Sequence, residues 1–489
     1  MMKMKREASI MRQVEMVVGL LAVLLVSALT AYAGEGMVED PRTMSFEPVE
    51  FSPPEPERIV LDNGLVVYLL EDHELPIVTI TATMRTGGWL DPADKVGLAA
   101  MTGAVMRTGG GGGLSAEQVD AELEQFAGDI HIGIGRQSGS ASLDVLRKDL
   151  NRGLEIFAGL IRSPAFEPAR LELAKLQALD GIRRRQDSPG SIVSREFSKA
   201  LYGGDHPSAR ETSVASITRL TRQDLVAFHR NTIHPNGMLL GVTGDFTKDE
   251  MLASLRKVFG DWQKGTVPEL KIPDVPEPDL AQSAVRFINK DTSQTHLRVG
   301  HLSIKESDPD YVALAIANDI LGGSSFRSRL FNDVRTKRGL AYSVGSRLLT
   351  GMHDQGVWMM RAETKLTSTQ DVIERFVANM ERMRQEPVTD AELAEAKEAY
   401  VNSFVFSFAS PSAIVSRLME LEYDGLPKDF LQQLRTQVIQ LTKDDVLAAA
   451  KKHLHPDRLK IIAVGSGDAL TKALSTFGEV KEIKLSPEG

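Results

Sequence analysis

Ten histidines and no cysteine set the chemistry open to this 489-residue chain. Without thiols there are no disulfides, no iron–sulfur or zinc-finger ligation and no cysteine nucleophile. A bound metal would rest on His, Asp or Glu. The close histidine pairs are His229/His234, His296/His301 and His453/His455. Their spacings miss the i,i+3 and i,i+4 positions that face one another on a helix, and no Glu sits between the partners in a metal-site pattern. They read as structural or surface residues. Gly109–Gly113 reads as a flexible joint, because no Gly-Lys-Ser/Thr follows to make a phosphate loop. Arg183-Arg184-Arg185 reads as a solvated helix face. A net charge of −9 argues against nucleic acid, whose affinity rests on Lys and Arg neutralising phosphates.

The elements that must position any site begin after the N-terminal segment. Residues 1–33 read as a secretory signal peptide. Lys3, Lys5, Arg6 and Arg12 precede an apolar run from Val17 to Val26, and Ala31-Tyr32-Ala33 is a small-x-small cleavage site. The rival reading is a retained anchor, but the run is shorter than the roughly 20 residues a span needs. No later segment is long enough to span after signal removal, and export of this type points to the periplasm. Residues 34–57 are Pro- and Glu-rich and read as an extended lead-in. Asp62-Asn63-Gly64 predicts a hairpin turn, Ile77–Met84 a strand and Leu98–Met106 a helix. Ser115 with Gln118 forms a capping box for a helix through Phe126.

A second Pro-rich stretch, 265–280, separates an N-terminal domain (58–264) from a C-terminal domain (281–480). The two halves repeat. Leu220–Leu225 matches Leu441–Val446, His234-Pro235 matches His455-Pro456, and Gly244 matches Gly465, all at one separation of 221 residues. Leu171–Lys175 resembles Leu393–Lys397 one residue further on. The alternative is two similar helix-then-strand units of independent origin. The expected fold class is α+β: two homologous domains, each a mostly antiparallel sheet packed with helices.

These motifs resemble the pitrilysin/insulinase-like zinc peptidases, which include the mitochondrial processing peptidase and bacterial two-subunit enzymes. The resemblance covers residues 55–480 and implies the metalloenzyme LuxS/processing-peptidase-like fold. The family's G-x-A-H-x-x-E-H-M-x-F-x-G-T stretch is matched by Gly97–Gly110 in frame only. The first zinc His falls on Ala100, the general-base Glu on Gly103, the second His on Ala104 and the third ligand, a Glu, on Gly181. In H-x-x-E-H two imidazoles one turn apart hold a zinc ion beside the Glu; Ala and Gly have no donor atoms. Asp180 adjoins Gly181 but points about 100° away on a helix. The resemblance thus implies no cofactor in this chain and zinc in a partner.

In the second half, Phe331–Val344 looks like the family's L-F-x-x-L-R-E-K-x-G-L-A-Y-S-V. In catalytic relatives its Arg and Tyr bind the scissile carbonyl and developing oxyanion; here they are Arg335 and Tyr342. The local alternative has Arg335 capping or pairing nearby and Tyr342 starting a strand. Gly322–Leu330 matches the Gly-rich turn before this motif, with Ser as helix N-cap. The resemblance implies a non-catalytic subunit of a periplasmic zinc endopeptidase acting on unfolded peptides. Its partner would be a homologous catalytic subunit with an intact H-x-x-E-H motif, and this chain would supply Arg335 and Tyr342 in trans. The alternative is a structural or peptide-binding homologue with no role in hydrolysis.

Overall fold

The computed structural model describes residues 54–269, 271–273, 275 and 283–486. The signal segment, the lead-in as far as residue 53 and residues 276–280 of the linker lie outside them. The first half runs β1 (Glu57–Val60), β2 (Val66–Glu71), β3 (Ile77–Met84), α1 (Leu98–Thr108), α2 (Ala116–Gln125), β4 (Asp129–Ile134), β5 (Gly139–Leu146) and α3 (Leu150–Arg162). It continues with α4 (Pro168–Arg184), α5 (Pro189–Tyr202), α6 (Val214–Arg219), α7 (Arg222–Thr232), β6 (Met238–Gly244) and α8 (Lys248–Phe259). The second half runs β7 (Ala284–Asn289), β8 (Thr295–Leu302), α9 (Tyr311–Asn318), β9 (Ala341–Leu349), β10 (Val357–Thr364), α10 (Thr369–Gln385) and α11 (Asp390–Phe406). It ends with α12 (Pro411–Asp424), α13 (Phe430–Gln440), α14 (Lys443–His453), β11 (Lys460–Gly465), α15 (Asp468–Leu474) and β12 (Val480–Glu482).

Each half builds a six-stranded mixed sheet, ordered β1-β2-β6-β3-β5-β4 and β12-β7-β11-β8-β10-β9. Five positions of the two sheets correspond, and most pairings are antiparallel. The outer edge differs: β1 enters as a hairpin with β2, whereas β12 pairs parallel to β7 and carries the second sheet past residue 480. The hairpin turn has Gly64 at φ +81°, and the Asn63 amide donates to Phe259 O at 2.7 Å, pinning it to α8.

Sequence patterning explains which face each strand buries. In β3, Val78, Ile80, Ala82 and Met84 point into the helical layer, while Thr79, Thr81 and Thr83 are half-buried on the other face. That alternation is the signature of a sheet with one fully covered face. α1 starts at Gly97, whose positive φ (+104°) suits glycine. Asp91 caps it, accepting from Gly97 N at 2.7 Å and Ala99 N at 2.8 Å. Burial pushes the Asp91 carboxyl above its ordinary value.

The second sheet face is covered by an exchange between halves. α5, from the first half, lays Ile192, Val193 and Phe197 on Ile462 and Val464 of the second sheet. Its repeat counterpart α12 lays Val415 and Met419 against Gly241 of the first sheet, so closely that a Cβ there would lie 2.4 Å from Val415 Cγ1. Each buried large apolar side chain contributes roughly 2 kcal/mol relative to exposure, so the two halves hold one another. Glu422 adds a polar clamp. It accepts from Arg58 at 2.7 and 2.6 Å and from the Tyr68 hydroxyl, and the Arg58 hydrogen bond lowers its pKa.

Two local expectations change. Gly109–Gly113 is a packed turn, because Gly110, Gly112 and Gly113 take positive φ and neighbouring chain ties them down. Gly112 N donates to Ser163 O at 3.1 Å and Ala165 N to Gly110 O at 2.9 Å. The arginine run is not wholly solvated either: Arg185 turns inward and pairs with Thr212 and Glu211.

Candidate functional site

Ala100 and Ala104 sit one turn apart on the open side of α1, facing Gly181 of α4. Together with Gln177, Ala178, Ile182 and Arg185 they line one concavity of 400 Å³. Gly103 does not join them. It is buried against β4, where an added Cβ would lie 2.6 Å from Ile134 N. Asp180 stays outside the concavity in an exposed pair with Arg184 at 3.0 Å. Zinc does not fit these residues: the three lining positions offer no donor, and Arg185 places a cation on the wall. Arg185 Nη1 donates to Thr212 O at 2.8 Å, and burial lowers the guanidinium pKa. No catalytic step runs through a metal here.

The histidines are occupied elsewhere. His301 Nδ1 donates to Leu302 O at 2.7 Å and Nε2 accepts from His455 N at 3.1 Å, with burial holding its pKa down to about 4. His229 Nε2 donates to Ile161 O at 2.7 Å. Among the described residues, Asp308, Asp310 and His453 form a group with metal-ligand types close together. The Lys452 ammonium already takes Asp310 Oδ2 at 2.7 Å, which makes the group an ion-pair cluster.

The second half carries a different constellation. The chain after α9 widens into two π-type stretches, Asp319–Gly323 and Phe331–Lys337. Between them Ser328 Oγ accepts from Phe331 N at 3.4 Å, an N-cap. Arg335 lies on the second stretch. Its guanidinium carbon stands 4.6 Å over the Phe331 ring and 4.7 Å over the Tyr342 ring, with Phe326 at 6.0 Å. The β9–β10 register pairs Ser343 with Glu363 and Ala341 with Thr364. Tyr342 is therefore the extra residue of a β-bulge, a device that re-aims a side chain. It is 77% exposed. Among the described residues no carboxylate pairs with Arg335. Held by ring faces, a planar guanidinium keeps its in-plane N–H donors free.

Arg329 anchors this platform. It is 6% exposed and makes a bidentate pair with Glu392 at 2.7 and 2.7 Å. Glu392 also closes the capping box of α11, accepting from Thr389 N at 2.8 Å. Its pKa falls to about 2: burial opposes the shift, and the Arg329 and Thr389 hydrogen bonds outweigh it. Because the folded pKa is depressed, the pair stabilises the fold above the ordinary carboxylate value and is lost as pH falls toward 2. Glu392→Gln is expected to cost about 2 kcal/mol near neutral pH, less than for a fully buried pair. It should also flatten the decline of urea stability between about pH 5 and 2. An unchanged acid limb would show that Glu392 is not its source.

α4 and α11 correspond at 222 residues, and so do their pocket walls. Ala174, Gln177, Ala178 and Gly181 line the first concavity. Ala396, Ala399, Tyr400 and Ser403 line a second, of 590 Å³. The fold thus has two repeated halves, and Ala100, Ala104 and Gly181, where the resemblance expects zinc ligands, bring no donor groups to their concavity.

Comparison with known proteins shows what the chain resembles. Residues 219–400 match the model described as Peptidase M16 inactive domain. An uncharacterized zinc protease of Mycobacterium bovis is 27% identical over 359 residues, spanning 72% of this chain and 80% of its own length. The non-peptidase homolog YmxG of Helicobacter pylori is 23% identical over 403 residues, spanning 81% and 90%. A crystal structure of a peptidase M16 inactive domain from Pseudomonas fluorescens aligns with TM-score 0.75 at 28% identity, covering 84% of this chain and 98% of that one. Residues 219–400 thus carry the likeness to a peptidase M16 inactive domain, and the chain is similar over most of its length to proteins of that kind. Among the described residues no helix is long and apolar enough to cross a membrane.

The sequence had no direct signal for Arg185, Arg347 or Arg361 as pocket residues. Their approach to the concavities depends on packing and strand register.

Proposed function

We propose that this chain is the non-catalytic subunit of a two-chain, exported zinc endopeptidase. A homologous partner with an intact H-x-x-E-H motif would hold the zinc and the general base. This chain would add Arg335 and Tyr342 to the partner's site, where a cation and a phenol donor stabilise charge growing on the scissile carbonyl oxygen. The observation that carries the reading is the exposed Arg335–Tyr342 stack, free of any carboxylate, in a chain whose own zinc positions have no donors. Extended peptides are the expected substrates, held as an added strand on a sheet edge; β4 and β9 are such edges. The N-terminal pattern from Lys3 to Ala33 supports a periplasmic location. Co-expression with a zinc-bearing homologue tests the assembly. Peptide hydrolysis that needs both chains supports it; full hydrolysis by the partner alone refutes it.

A further inference from the structure

We propose that Arg298, Arg347 and Arg361, on the face of the second sheet that α5 covers in part, form a subsite for the acidic side chains of an extended peptide. The proposal rests on the peptide reading above and names the substrate class.

Strand register brings the three together. Arg361 of β10 stands opposite Arg298 of β8, and the same row continues to Gly345 of β9 on one side and Ile462 of β11 on the other. Arg347 lies one row away on the same face, opposite Met359. α5 packs on Ile462 and Val464 and reaches Leu302, Val357 and Met359 at one end of β8 and β10, while Arg298 and Arg361 stay half-buried and Arg347 exposed. Like charges directly opposite on a sheet repel, and no carboxylate forms an ion pair with any of the three among the described residues. Arg298 Nη1 donates to Leu297 O at 2.9 Å. The nearby acids are engaged otherwise: Glu363 lies 3.7 Å from His296, and Asp319 accepts the Ser324 hydroxyl at 3.0 Å.

The fold does not demand this charge. In the matching rows of the first sheet, beneath α12, the corresponding positions are Thr81, Ser142 and His131, then Thr83, Ser140 and Gly133. At the positions that match Arg298, Arg361 and Arg347 the first half thus carries Thr81, Ser142 and Gly133, against three arginines with no ion-pair partner among the described residues in the second. Arg347 and Arg361 also line the 590 Å³ concavity, together with the edge strand β9 and Ala396 of α11. Gly345, opposite Arg361, adds no side chain that would close it off. A peptide added along β9 from Tyr342 would reach Arg347 five residues on, roughly 17 Å away. Its acidic groups would there meet guanidinium donors with no competing ion-pair partner.

The test uses the full chain alone and a fluorescein-labelled extended decapeptide carrying Glu at alternate positions, with a Gln counterpart. Fluorescence anisotropy should show the Glu peptide binding at least about tenfold more tightly, as charge-assisted hydrogen bonds imply, with the advantage shrinking as salt rises. The double variant Arg347→Gln/Arg361→Gln should remove that advantage and leave Gln-peptide binding unchanged. Arg347→Gln alone, at an exposed position, gives part of the loss if the double variant folds poorly. Equal binding of the two peptides, or wild-type preference in both variants, overturns the proposal. So does a single-stranded oligonucleotide of equal charge that binds as tightly as the Glu peptide. No partner chain is present in this assay, so its outcome is separate from the trans-hydrolysis test.

Discussion

Arg335→Ala combined with Tyr342→Phe is expected to lower peptide hydrolysis by the assembled two-chain enzyme about 10²–10³-fold, the range found when a transition-state donor is removed. The loss should appear in kcat more than in KM, because the oxyanion is present only in the transition state. Geometry separates the two contributions. Tyr342→Phe keeps the ring stacked on Arg335 and removes only the hydroxyl, so it should cost less than the pair. Arg335→Lys keeps the charge but loses the planar group lying 4.6 and 4.7 Å over Phe331 and Tyr342. An ammonium cannot present the same fork of donors, so most of the loss should remain. Tyr342 is 77% exposed, so the variants should melt near wild type and still co-elute with the partner. Wild-type turnover by the double variant in an intact complex would end the trans-site reading.

Local rules recover much of this fold. Strand β3 runs over Ile77–Met84 as its alternation predicts, and Ser115 and Gln118 make both hydrogen bonds of the capping box. The repeat is legible because Thr221 and Thr442 open α7 and α14 with the same side-chain cap. The exchange of α5 and α12 is not. Both helices begin Ser-Pro, at Ser188-Pro189 and Ser410-Pro411, but an apolar stripe does not say which sheet it covers. The frame of Gly97–Gly110 singles out Ala100, Gly103 and Ala104, whereas the tightness of Gly103 against Ile134 depends on how closely α1 packs on β4. The arginine subsite is invisible for a related reason. Arg298, Arg347 and Arg361 lie on three strands, and only the register makes them neighbours. For the same reason Tyr342 reads as an ordinary strand residue until the bulge re-aims it.

Building a zinc site at the positions the resemblance marks should succeed for the metal and fail for the catalyst. Ala100 and Ala104 are exposed on one helix face, and a Cβ added at Gly181 meets nothing within 4 Å. Ala100→His, Ala104→His and Gly181→Glu together should therefore give a chain that keeps one zinc ion per molecule through gel filtration, read by metal analysis. Zinc should raise its melting temperature, since a ligand that binds the folded state stabilises it. Arg185 on the pocket wall weakens that site, so Arg185→Leu in the same background should tighten zinc binding. The fourth position behaves differently. A Cβ at Gly103 would stand 2.6 Å from Ile134 N and 3.0 Å from Gly133 C, both backbone atoms that cannot swing aside. Gly103→Glu must push α1 off β4 or bury a carboxylate against the sheet, and overpacking with a buried charge costs about 3 kcal/mol or more. The four-residue variant should melt well below the three-residue one and hydrolyse no peptide. The barrier to a carboxylate at position 103 is thus built into the packing of α1 on β4, while positions 100, 104 and 181 lie on an open surface. A four-residue variant with wild-type stability and zinc-dependent peptidase activity would refute that distinction.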